Sequence, residues 1–172
     1  MRRFTTKDLT LAAMVAALYA VMSYFGNVFG LTYGPIQLRF SEALCVLPFL
    51  FPATVPGLFV GCLAANLLSP YGPLDIVVGS LATLIAAVWT SRVRRRWLAP
   101  LPPVVCNTVL VGFTIAFAQT GFTAALPTAW LYNGLTVGIG ELGACYVLGM
   151  LLLKLLPRVD YFKPMIAPKE TA

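Results

Sequence analysis

The chain has 172 residues, of which 59% are apolar and 10% charged, with a formal net charge of +6 and a mean hydropathy of +0.86. These values exclude an ordinary soluble globular domain and define an integral membrane protein. At roughly 20 apolar residues per spanning helix, the length holds about six helices with short connections and one domain, 1–172.

The first span is predicted at about 8–30, flanked by Arg2, Arg3 and Lys7. A signal peptide has this charge order, but the apolar run continues well beyond "AALYA", so a retained helix is expected. Ala12, Ala13, Ala16, Ala17 and Ala20 line one face of it at spacings of three and four. Such a face suits close helix packing, either within this chain or on a partner subunit. The Gly57–Gly61 GxxxG match is common in membrane helices and decides nothing by itself.

The region 41–68 is long for one span and short for two, and Pro48, Pro52 and Pro56 punctuate it. Charge resolves the count, because Lys and Arg collect on the cytoplasmic side of short loops. The N-terminal cluster, the "RVRRR" run and the tail with Arg158, Lys163 and Lys169 should all lie inside. Two short spans at about 41–52 and 54–69 satisfy this; one kinked span would put "RVRRR" outside. The remaining spans are read at about 73–91, 103–120 and 131–156. The expectation is an all-α protein with six transmembrane helices and both termini cytoplasmic.

The basic residues then set topology and are compatible with membrane lipid contact. Nucleic-acid binding needs aromatics interleaved with the basic residues, and Trp97 alone does not provide that. Cys45, Cys62, Cys106 and Cys145 stand singly without His or CxxC spacing, so no metal site or disulfide framework is expected. No cofactor is expected either. There is no GxxxxGK[ST] phosphate loop and no nucleophile–base constellation, so neither ATP hydrolysis nor another enzyme activity is supported.

Few ionisable residues remain in the apolar segments: Arg39, Glu42, Asp75 and Glu141. Intramembrane charges are costly and usually mark a pathway or a site. Some have structural readings. Ser41 suits an N-cap, with Glu42 in the first turn paired to Arg39. Asp75 follows Pro73, where a carboxylate complements the helix dipole. Glu141 has no such role; it lies among small residues, about ten residues and roughly 15 Å from the outer end of the last span. Gln37 and Asn66 sit near the same outer face, as do Tyr33, Phe40, Tyr71 and Trp130. Asn107 lies nearer the inside, where helix–helix hydrogen bonding is expected. Three carboxylates against one Arg suit a ligand rich in N–H donors or positively charged, such as a guanine-type edge.

Four stretches, "TTKDLTLAAMVAALYAVMSY", "GPIQLRFSEALCVLPF", "VPGLFVGCLAANLLSPYGPLDIVVGSLATLIAA" and "GELGACYVLG", resemble the QueT family over almost the whole chain. These are substrate-binding membrane subunits (S-components) of energy-coupling factor (ECF) transporters, assigned to queuosine precursors. The resemblance implies a prokaryotic cell-membrane S-component bundle whose pocket opens outward. Its implied ligand is a 7-deazaguanine such as preQ0 or preQ1. Its implied partners are an ECF transmembrane scaffold subunit and two cytoplasmic ATPase subunits, with the alanine face of the first helix as the scaffold-docking surface. Substrate binding would fall to Gln37, Arg39, Glu42, Asn66, Asp75 and Glu141. Alternatives are an S-component for another small metabolite, a self-sufficient proton-coupled carrier using Glu141, and a membrane interaction protein whose buried charges are structural.

Overall fold

The computed structural model describes residues 4–30 and 37–167. Arg2, Arg3, Tyr33 and Lys169, named above, lie outside the described residues. All regular structure among the described residues is helical. Helix α1 spans Thr6–Val28 and opens with a capping box. Thr5 N donates to Asp8 Oδ2 at 2.9 Å while Asp8 N donates to Thr5 Oγ1 at 3.3 Å, which starts the helix two residues before the predicted bound. A 3-10 helix, Phe40–Phe49, follows. A short turn, Pro52–Thr54, leads into α2, Val55–Asn66. Helix α3 covers Pro73–Arg92, α4 Arg96–Thr120 and α5 Leu126–Arg158.

Four of these, α1, α3, α4 and α5, are long and apolar enough to cross a membrane, while Phe40–Phe49 and Pro52–Asn66 are shorter apolar helices. The proline-punctuated region is therefore divided into two helices, both shorter than the four that are long enough to cross a membrane. Helices α4 and α5 begin earlier than predicted. Pro102 and Pro103 fall in the first turn of the regular α-helical part of α4, and Pro127 does so in α5, where a missing N–H costs no hydrogen bond. Gly72, at φ 73°, caps the start of α3 in a conformation few other residues adopt.

The 3-10 helix is the centre of the molecule, packed against α1, α3 and α5, with Ser41 through Phe49 all buried. At three residues per turn, side chains i and i+3 eclipse, so it presents three narrow faces. Leu44 and Leu47 join an apolar cluster with Val15 and Tyr19 of α1, Leu58 of α2 and Ala87 of α3. Val46 and Phe49 join Ala99, Val104, Leu153 and Met165. Glu42 and Cys45 share the third face. Beside them, α1 and α2 pack with unusual closeness. A Cβ on Gly57 would lie 2.1 Å from the Ala12 carbonyl O, and one on Gly61 would lie 2.7 Å from that of Ala16. The GxxxG match is a true backbone contact.

Candidate functional site

The polar site is assembled where the first turn of the 3-10 helix meets α1, α3 and α5. Gln37, Arg39, Glu42, Asn66, Asp75, Asn107 and Glu141 are all buried. In a chain this apolar, each burial requires a partner.

Glu42 is the hub. Tyr19 donates its hydroxyl to Glu42 Oε1, and Cys45 Sγ lies 3.0 Å from Oε2. The second contact follows from 3-10 geometry, which places i and i+3 side by side. Cys145 of α5 lies 3.4 Å from the Glu42 carbonyl O and 3.5 Å from Glu141 Oε2, linking the two acids. Asn107 Nδ2 donates to Glu141 Oε1 at 2.8 Å, so the expected helix–helix hydrogen bond forms, and it holds the central acid. Both helices are π-helical beside this bond, α4 at Asn107–Val111 and α5 at Gly143–Gly149. Such wide turns occur frequently at functional sites. Glu141 lies fifteen residues into α5, deeper than expected, because that helix begins at Leu126.

A second group forms around Asp75, in the first turn of α3. Arg39 Nη2 stands 3.9 Å from Asp75 Oδ2, and Ser69 donates its hydroxyl to the same oxygen at 2.5 Å. Asn66 Nδ2 donates to the Asp75 carbonyl O at 3.2 Å. Gln37 Nε2 donates to Tyr71 Oη at 3.4 Å. Gly79 and Gly140 make room for these groups. A Cβ on Gly79 would lie 2.8 Å from Asn66 Nδ2 and 2.9 Å from Asp75 Oδ1, and one on Gly140 would lie 1.9 Å from the Gln37 carbonyl O.

Two sequence expectations change. Ser41 is not the N-cap; the 3-10 helix starts at Phe40 with Arg39 as its cap residue, and Ser41 Oγ accepts from the Ser23 hydroxyl at 2.8 Å instead. Arg39 faces Asp75 of α3, an acid too far along the chain for sequence spacing to suggest, while the Glu42 oxygens accept from Tyr19 and Cys45. Sequence reasoning also missed Tyr19, Ser69, Cys45 and Cys145. A buried Tyr within an alanine-rich helix is the one signal that pointed to any of them.

A 350 Å³ cavity opens next to this cluster, between the C-terminal parts of α1 and α2. That volume is at the lower end of the roughly 300–1,000 Å³ typical of small-molecule sites. Tyr19, Arg39 and Asn66 line it, and each makes a contact with Glu42 or Asp75. Gln37, Glu42, Asp75 and Glu141 do not line it. The alanine face of α1 divides: Ala12 is buried and Ala16 and Ala20 partly so, while Ala13 and Ala17 are exposed.

Three buried side-chain acceptors, Gln37 Oε1, Asp75 Oδ1 and Asn107 Oδ1, have no hydrogen-bond partner among the described residues. Buried polar groups of this kind, within an apolar bundle whose long helices can cross a membrane, define the class as a helical membrane protein. The comparisons narrow that class. A family model described as "QueT transporter" matches residues 9–158, and the chain belongs to this family of multi-pass membrane transporters, which are not enzymes. A similar protein, the queuosine precursor transporter QueT of Lactococcus lactis subsp. cremoris (strain MG1363), is 30% identical, with 93% of this chain and 98% of that protein covered. No solved structure matches the chain significantly.

Proposed function

We propose that the chain is the substrate-binding S-component of an ECF-type transporter that imports a queuosine precursor, a 7-deazaguanine of the preQ0 or preQ1 type. Family membership and the named relative support the class of cargo. The observation that carries the site is the set of buried acceptors at Gln37, Asp75 and Asn107, next to three buried carboxylates. A guanine-type edge offers adjacent N–H donors to such acceptors, and an aminomethyl group adds a cation suited to a carboxylate. Glu42 and Glu141 are the acids we assign to ligand recognition through the Asn107 and Tyr19 connections, with Arg39 and Asp75 closing the outer side. Gln37 and Asn66 complete the site. In this reading both termini are cytoplasmic, six segments cross the membrane of a prokaryotic cell, and partner ATPases drive transport through a scaffold subunit.

The test is isothermal titration of preQ1 and preQ0 into the purified chain. Saturable binding is expected. Glu141→Gln, which replaces one carboxyl oxygen with an amide NH₂ group, should weaken it about fivefold, as a typical hydrogen bond contributes about 0.5–1.5 kcal/mol. Unchanged affinity in that variant would remove Glu141 from the site. Co-purification with an ATPase-bearing complex would support the S-component assignment, and uptake by the isolated chain in vesicles would favour the self-sufficient carrier.

A further inference from the structure

At the end of α3 remote from Asp75, the connection to α4 and the start of α4 place Arg94, Arg95, Arg96 and Trp97 along one side of a 570 Å³ groove. The other walls include Leu153 of α5 and Ile166 of the C-terminal segment. That segment is fixed in place, since Ala167 N donates to the Leu50 carbonyl O at 2.8 Å. With Phe49 and Leu50 at the end of the 3-10 helix, the groove is built from four separate parts of the chain. All three arginines and Trp97 are exposed. Among the described residues none of these arginines has a carboxylate within 4.0 Å; Asp160, near the same end, is paired to Lys163 at 2.5 Å.

A second groove of 460 Å³ shares Arg96 and adds Lys154, Val147 and Leu151. Val147 and Leu151 are exposed apolar residues on α5. Uncompensated guanidinium groups, an aromatic at their level and an apolar track running away from them form an amphipathic surface. A topology signal requires only positive charge near a helix end; it requires neither a groove nor an apolar wall.

We propose that these joined grooves bind one anionic phospholipid. Its phosphodiester is held by the forked donors of Arg94, Arg95 and Arg96, which match phosphate geometry. Trp97 sits at headgroup depth, and an acyl chain follows Val147 and Leu151. Inorganic phosphate fits only the arginine part, and an acidic protein surface does not use the apolar track.

The test uses the full, delipidated chain in detergent and native mass spectrometry. Phosphatidylglycerol, phosphatidylcholine of matched acyl chains and inorganic phosphate are the probes. One phosphatidylglycerol adduct per chain is expected, preferred at least about tenfold over phosphatidylcholine and not displaced by phosphate. Arg94→Gln, Arg95→Gln and Arg96→Gln should each weaken it about fivefold, the effect of one basic residue at an anionic surface. Arg158→Gln, near this end but outside the groove, should leave it unchanged. Equal retention of the two lipids, displacement by phosphate, or equal loss in Arg158→Gln would overturn the proposal. Because no queuosine precursor enters the measurement, its failure is distinct from failure of the transport reading. Unaltered circular dichroism of each single variant separates lost binding from lost fold.

Discussion

The two ends of the 3-10 helix Phe40–Phe49 lie in opposite environments. At its start, Arg39, Ser41 and Glu42 are buried among hydroxyl, amide, thiol and carboxylate groups. At its end, Val46, Phe49 and Leu50 are buried in an apolar cluster with Phe51, Ala99, Val104 and Leu153. One short helix, buried from Ser41 to Phe49, therefore joins a directional polar network to a dense apolar base. The contrast suggests a division of labour, in which the base contributes stability and the network contributes recognition. Apolar burial stabilises without fixing geometry, whereas a buried hydrogen-bond network fixes geometry and is costly when one member is lost.

That division can be broken experimentally. Leu153→Ala opens a cavity in the fully buried base and should destabilise the protein by about 2–5 kcal/mol, measured by unfolding in detergent. Affinity for the precursor, measured where the variant remains folded, should be unchanged; a parallel loss of affinity would show that the two ends are not separable. Gly140→Ala should do the reverse. Its new methyl would collide with the Gln37 carbonyl, costing about 1–3 kcal/mol of stability and reducing precursor binding more than tenfold. Glu42→Ala would leave the Tyr19 hydroxyl and the Cys45 thiol without their acceptor, a loss of about 1–3 kcal/mol. Combined with Tyr19→Phe, its effect should be less than additive, since both changes remove the same bond. The smallest effect is expected for Ala13→Leu. On the exposed face of α1 it should change stability by less than about 0.5 kcal/mol and leave precursor binding intact, while reducing co-purification with the proposed scaffold subunit.

Much of this architecture was legible in the sequence because membrane helices announce themselves by length and apolarity. The division of the region around Pro48, Pro52 and Pro56 followed from charge placement, and the rarity of charge singled out Arg39, Glu42, Asp75 and Glu141. What could not be read was pairing. Arg39 and Glu42 are three residues apart, yet Arg39 approaches Asp75, thirty-six positions on, because helix packing sets distance independently of sequence separation. The 3-10 form of Phe40–Phe49 was also hidden, and with it the eclipsed Cys45. The starts of α4 and α5 lie before the apolar runs at 103 and 131, because the first-turn prolines Pro102, Pro103 and Pro127 belong inside their helices.

The interleaving of Ala12 and Ala16 with Gly57 and Gly61 has a mechanical meaning. With two backbones this close, α1 and α2 have little freedom to slide or roll against one another, and they behave as a single lever. The cavity wall formed by Ala64, Ala65 and Asn66 is carried on the far arm of that lever. A push on the exposed side of α1 therefore moves both helical walls of the cavity as one body, relative to the 3-10 helix that supplies Arg39.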